Sequence, residues 1–414
     1  MKRIKVFKKV LVTSLSLMLM LGIFTGFSLA LEEEIPIGAI ISLSGALSTY
    51  GPDWLEAGQI VVDEMNVLGG GPLGQKLKLY VEDDKTNVEE GIKAAKKLLS
   101  INKVITIYGP ISDTVIAVMD FSEDYKVPVI SGIAGSSRLD KTGGKYQYRT
   151  VPSDSYEGVA DAAFAYNELG MKTVSLITAD EEGPESVAGG FKDAYEKLGG
   201  KILKDVLVTP GQATYMSSIQ LAFEDNPEGI LLSADMNITA TVIKEWIRGG
   251  YGGKIMCGTD IGPGKFVDIV GAKNVEGVYY TTPASDPNTV AHRSFEMKWK
   301  AITGRELGYA VENCYDAMTI ICLAMLASGE ATGEGIAENM RRVANPPGVA
   351  VYSLAEGKEQ LLLGNEINYE GASGPCDFDE YGNVAGGFNK YIFDDKGGGV
   401  LVKYYPAGSI VLDK

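Results

Sequence analysis

Histidine is almost missing from the chain. His292 is the only one in 414 residues, in Ala291-His292-Arg293, where the start of an exposed surface helix is expected. Acid–base chemistry built on imidazole would rest on that residue alone. Cysteine is scarce as well. Cys257, Cys314, Cys322 and Cys376 form no C-x-x-C pair, which together with the lone histidine argues against a structural zinc site. Four cysteines allow three pairings, and the sequence does not choose among them. Cys314 and Cys322 lie in an apolar helical run, where two buried thiols are the plain reading. Neither a GxxxxGK[ST] phosphate loop nor a GxSxG nucleophile elbow occurs. The glycine-rich Gly69–Gly74 follows a helix, so it is a turn and not a dinucleotide fingerprint. No nucleophile–base pair stands out, so neither an enzyme nor a bound cofactor or metal is expected. Positive charge is also short: 38 Lys+Arg face 54 Asp+Glu, for a formal net charge of −16. Nucleic-acid binding needs a basic footprint, and this chain has none.

What is present begins with a three-part leader. Lys2, Arg3, Lys5, Lys8 and Lys9 form a basic head, Val10 to Phe27 an apolar stretch, and Ser28-Leu29-Ala30 a small-residue cleavage site. This is the pattern of a secretory signal over residues 1–30, which places the mature chain in the periplasm or outside the cell. The alternative is an uncleaved tether, since the stretch approaches the ~20 residues that span a bilayer. Without those residues the formal charge is −21.

From Glu34 onward, short β-branched runs alternate with amphipathic stretches. Strands are predicted over Ile35–Ile41, Leu77–Glu82, Val104–Gly109 and Val127–Ile130, with helices from Pro52, over Val88–Ser100 and over Thr114–Tyr125. The cycle restarts after Pro152. Helices are predicted over Tyr156–Leu169, Glu185–Leu198, Tyr215–Phe223 and Ile238–Arg248. Strands are predicted over Thr173–Thr178, Lys201–Val208, Gly229–Ser233, Lys254–Gly258 and Gly277–Thr281. Two more helices, around Arg293–Ile302 and Val311–Ala327, precede a tail rich in Gly, Asp and aromatics. The fold class is α/β: two blocks of similar size, each a parallel sheet covered by helices. Ligands of such sheets sit beyond the carboxyl ends of the strands, here the loops Ser42–Gly51, Gly109–Asp113, Ser131–Ser137, Ala179–Glu185, Ala234–Asn237 and Gly258–Gly262.

Several of these segments carry a resemblance. Gly38-Ala39-Ile40-Ile41-Ser42-Leu43-Ser44-Gly45, Tyr50-Gly51, Asp83-Asp84, Gly109-Pro110, Pro128-Val129-Ile130-Ser131, Tyr148–Asp154, Tyr315-Asp316-Ala317 and Gly371–Asp379 occur in order across nearly the whole mature chain. In this the chain resembles type I periplasmic solute-binding proteins, the branch with leucine/isoleucine/valine receptors of ABC importers. The resemblance implies two Rossmann-like lobes joined by three crossings, near Val151-Pro152, Thr282-Pro283 and Ala372-Ser373. One lobe would hold residues 31–151 and 283–372, the other 152–282 and 373–414. It further implies a monomeric carrier that captures a small amino acid-like ligand between the lobes and hands it to a membrane permease. A ligand-sensing receptor of the same fold, coupled to a signalling partner, is the alternative.

The resemblance also assigns site residues. The ligand carboxylate would meet Ser112 and the loop Ile133, Ala134 and Gly135; Gly135 stands where the family usually has Thr, so Ser136 or Ser137 would supply the hydroxyl. Asp260 would receive the ammonium, and Tyr50 would stand at the cleft mouth. Two departures stand out: a family Tyr falls on Gly183 and another cleft aromatic near Asp235, which opens room and adds a second anion, unless an Arg such as Arg138 fills the space. Local roles compete for some of these residues. Ser112 also suits a helix cap, Asp113 a first-turn acid, and Asp83-Asp84 loop bonding. Trp54, Trp246 and Trp299 read as packing.

Overall fold

The computed structural model describes residues 34–68, 72–258, 261–262, 264–406 and 408–409. The leader at residues 1–30 and Asp260 lie outside them.

The apolar runs of the first block become a parallel sheet of five strands: β1 (Ile35–Ile41), β2 (Leu77–Asp83), β3 (Ile107–Tyr108), β4 (Val129–Ser131) and β5 (Gln147–Arg149), in the order β2-β1-β3-β4-β5. Register is set by pairs such as Ile35–Leu77, Gly38–Ile107 and Val129–Gln147. Strand β5 is unforeseen in the sequence because its letters are polar. Gln147 and Arg149 are nevertheless buried, Gln147 donating to Ser122 Oγ at 3.0 Å and Arg149 pairing with Asp140 at 2.5 Å. Helices α1 (Gly51–Val67), α2 (Val88–Lys97) and α3 (Ser112–Tyr125) connect the first four strands.

The second block forms a seven-stranded sheet. Its parallel part is β6 (Thr173–Ala179), β7 (Lys201–Val208), β8 (Gly229–Ser233), β9 (Lys254–Cys257) and β10 (Tyr279–Ala284). Strands β14 (Gly387–Phe393) and β15 (Gly399–Tyr405) extend it antiparallel beyond β10, giving the order β15-β14-β10-β9-β8-β6-β7. Its helices are α4 (Asp154–Ala163), α5 (Glu182–Lys197), α6 (Met216–Phe223), α7 (Met236–Gly249) and the short α8 (Lys265–Val270) and α9 (Ala272–Val275).

Helices α10 (Val290–Thr303), α11 (Val311–Ser328), α12 (Gly333–Ala344) and α13 (Leu354–Leu362) follow, with a small sheet of β11 (Val349–Val351), β12 (Ile367–Gly371) and β13 (Gly374–Pro375). These pack on the first sheet: α11 lies against α1 and α12, in a core that holds Trp54, Tyr108, Phe295, Trp299 and Tyr369. Cys376, Phe378 and Val384 belong to that core too. Phe378 meets Tyr148 edge-on at 5.1 Å, and both its backbone groups bond to the Asn345 side chain. The third crossing therefore runs at 385–386, later than the expected Ala372-Ser373, because glycine-rich turns in the tail conceal buried anchors. The second crossing follows Ala284, the end of β10. The three strands of chain bunch together there: a Cβ on Gly386 would lie 2.7 Å from Pro152, and Thr150 and Asn313 exchange two 2.7 Å hydrogen bonds. All four cysteines are free and buried.

Candidate functional site

Between the two sheets lies a cavity of about 120 Å³. It opens where both sheets present the carboxyl ends of their parallel strands, the position at which open αβ sheets bind ligands. The first lobe contributes Ala46 and Leu47 after β1, Thr86 after β2, Ile111, Ser112 and Asp113 after β3, and Ile133 after β4. The second contributes Glu181 and Gly183 after β6, Ser233, Ala234 and Asp235 at β8, and Gly258 after β9. Asp154, at the start of α4, also faces it.

Of the residues expected to form the site, Ser112, Ile133 and Asp235 come together on its walls. Asp235 is 8% exposed; its Oδ1 accepts from the backbone N–H groups of Asn237 and Ile238, capping α7. Gly183 lines the cavity as well. Ala134, Gly135 and Ser136 stand behind the lining, and their N–H groups are taken up internally. Ala134 N and Ile133 N donate to Ser131 Oγ, Gly135 N to Ile133 O, and Ser136 N to Ser112 Oγ at 3.1 Å. Gly135 has no room for a side chain, since a Cβ there would fall 1.8 Å from Asp154 Oδ1. These three residues are corrected from ligand contacts to supports of the loop.

Tyr50 lines a neighbouring, larger opening of about 1010 Å³ on the hinge side, not the cavity itself. It stacks on Trp54 at 5.9 Å, and Tyr309 meets both rings edge-on. Trp54 faces the smaller cavity and Tyr309 faces both, so the three rings partition the two spaces. Trp54, Tyr309, Asp154 and Glu181 were missed as lining residues. Asp154 carried a usable signal: Asp154, Glu157 and Asp161 recur three and four apart on one face of α4, a carboxylate stripe on a helix whose Ala160, Ala162 and Ala163 are buried. His292, expected on the surface, is 8% exposed, with Nδ1 3.7 Å from Glu312 Oε1. Asp83 and Asp84 are occupied by loop bonds, to Leu43 N and Ser44, and to Ser42 Oγ and Thr86 N respectively.

The lobes touch across the rim of the cavity. Arg138 pairs with Glu182 and so does not fill the cavity. Ser137 bonds Ser186 Oγ through its N–H at 2.9 Å and its hydroxyl at 3.0 Å, and Lys265 donates to Thr49 Oγ1 at 2.6 Å. Burial, and then the neighbouring Glu182 charge, raise the Asp113 carboxyl above its ordinary value.

Two αβ lobes, a three-strand hinge and an interlobe cavity at the strand ends define an architecture, and the sequence as a whole matches the same one. The model of the family described as periplasmic binding protein matches residues 34–351. The chain belongs to the periplasmic binding protein family. Among relatives of this binding protein is the leucine-, isoleucine-, valine-, threonine- and alanine-binding protein of Pseudomonas aeruginosa, 21% identical over 77% of this chain and 84% of that one. The chemotactic signal transduction system substrate-binding protein BasB of Halobacterium salinarum is 23% identical over 83% of each chain. The solved leucine-binding protein LivK of Thermotoga maritima superposes with a TM-score of 0.78 at 24% identity, covering 90% of this chain and 99% of that one. At that identity the likeness is one of fold.

Proposed function

We propose that this binding protein is the receptor of an ABC importer: it takes a small amino acid or amino acid-like molecule into the interlobe cavity and presents the closed form to a membrane permease. The observation that carries this reading is the cavity lined by both lobes at the carboxyl ends of both sheets. A ligand there touches both lobes at once, so it binds the closed arrangement better than the open one and shifts the population toward it. Ser112, Ile133 and Asp235 are the proposed contacts from the lining, with Asp260, beyond β9, as a further acceptor for an ammonium. Tyr50 acts one ring back, by holding Trp54 at the cavity. No covalent step is proposed. Export through residues 1–30 to the periplasm, as a monomer, completes the reading.

A thermal-shift screen of the chain beginning at Leu31 tests it, with amino acids, their amides, amines and aromatic carboxylates as the panel. A true ligand at about 100 times its Kd adds about 2.7 kcal/mol of stability. A shift is expected for at least one amino acid-like compound, lost when Ser112 is changed to a bulky residue. Silence across the panel would reject the amino acid-like ligand. The kinship with the chemotaxis protein BasB favours a second reading, a sensor held at the membrane. The N-terminus of the mature protein separates the two: cleavage after Ala30 gives a free carrier, retention a tether.

A further inference from the structure

The larger opening beside the cavity, about 1010 Å³, has no part in the receptor reading. Both lobes build it, on the hinge side of the rings of Trp54, Tyr50 and Tyr309. Much of its charged lining is already engaged. Asp53 pairs with Arg305 and Glu306 with Lys300. Lys265 donates to Thr49 Oγ1 at 2.6 Å, and Asp286 accepts from Asn288 N at 2.8 Å.

His292 and Glu312 of the first lobe remain, and both line the opening. His292 is more than nine-tenths buried, and its Nδ1 has no hydrogen-bond partner among the described residues. A buried ring nitrogen is seldom left so. Glu312 Oε1 lies 3.7 Å away, beyond direct hydrogen-bond reach. The Ser285 hydroxyl takes up one lone pair of that carboxylate, which offers about four. A nitrogen carrying two or more hydrogens, placed between Nδ1 and Oε1, donates to both.

Across the opening the second lobe presents aromatic faces. Tyr280 of β10 and Tyr391 of β14 stack at 5.1 Å, with their planes 14° apart. Phe266 and Tyr404 line the same wall. Tyr391 is near enough to Glu312 to feel its charge: burial raises the phenol pKa, the Asn389 bond opposes, and the Glu312 carboxylate adds to the rise. A carboxylate facing a tyrosine pair holds an organic cation by charge-assisted hydrogen bonding and cation–π attraction together.

We propose that this opening is a second ligand site, taken by a primary amine on a ring-bearing, apolar body. The ammonium stands between Glu312 Oε1 and His292 Nδ1, with His292 in the tautomer protonated at Nε2. The body lies along Tyr280 and Tyr391. Its two ends touch different lobes, so occupancy favours their closed arrangement. The site goes beyond the receptor reading and does not depend on it.

Isothermal titration of the chain beginning at Leu31 tests the proposal, with 2-phenylethylamine, 2-phenylethanol and 3-phenylpropanoate as probes. The amine should bind, and the alcohol and the acid at least about tenfold more weakly. Glu312→Gln should lower amine affinity by about tenfold or more. Tyr391→Leu, which keeps Glu312 in place, should lower it about threefold, and it decides the matter if Glu312→Gln does not fold. Equal affinity for the alcohol or the acid would overturn the amine assignment, and so would a silent amine. Amine affinity unchanged in both variants would overturn the second site; its loss in Ser112→Trp would then place the amine in the smaller cavity.

Discussion

Lys390 on β14 is wholly buried, its ammonium against the Asp161 carboxylate of α4 and Thr281 Oγ1 of β10, with Glu157 also buried on α4. Burial pulls its pKa down, and the Glu157 charge opposes that shift. Lys390→Met would leave the Asp161 charge uncompensated in the core. A loss of about 3–5 kcal/mol is expected, read as a lower urea midpoint at unchanged slope, and adding Asp161→Asn should recover part of it. A single variant as stable as the parent would remove the ion pair from the core's support. At this scale the site was half readable. The loops that carry Ser112, Ile133 and Asp235 follow from the rule that ligands meet strand ends, because loop position is a property of sequence order, whereas the choice of these residues within them comes from the family resemblance. Ala134, Gly135 and Ser136 occupy the same loop yet face inward, and only the Ser131 and Ser112 hydroxyls that claim their N–H groups decide this.

Elements were readable wherever burial is nearly continuous. Strands β1 and β8 have the predicted ends, since buried parallel strands show as apolar runs; the largely exposed edge strand β7 has them too, its Ile, Val and Leu residues marking it despite two lysines and an aspartate. Short or polar elements were not: β5 hides behind Gln147 and Arg149, and α12 behind a stretch beginning Gly333-Glu334-Gly335. Helix α11 is legible, but not that its first turn carries a largely buried acid. Glu312 lies beside His292 at the larger opening, and burial first, then the Asp316 and Glu296 charges, raise its pKa to about 7. Its ordinary value is 4.5. Between these values the folded chain keeps a proton that the unfolded chain has lost. The stability this contributes is full below the unfolded value and is lost as pH rises through about 7, with a slope of at most about 1.4 kcal/mol per pH unit. Glu312→Gln, fixed in the neutral form, should flatten this part of the profile, so the melting temperature of the parent minus that of the variant falls across the window. A difference independent of pH would show that Glu312 titrates normally.

At the scale of the whole molecule, two lobes were implied by the restart of the αβ cycle after Pro152, whereas contact between them could not be read from either block alone. That contact is small and polar. Ser186 Oγ receives both Ser137 bonds, while Arg138 and Glu182 form a largely exposed pair worth about 1 kcal/mol or less. A closed arrangement held by so few bonds between the lobes can be shifted by a modest change in differential affinity. Ser186→Ala removes both Ser137 bonds, each worth about 1 kcal/mol, without touching the cavity lining. Each kcal/mol taken from the closed form reduces its population about fivefold, and apparent affinity falls in the same proportion. Small-angle scattering should therefore show a larger radius of gyration for the free variant and an unchanged one when either protein is saturated. Titration should show weaker binding, of the order of twenty-five-fold, for whichever compound the panel identifies. If affinity and free-state dimensions both match the parent, the serine contact follows closure and does not help to set it.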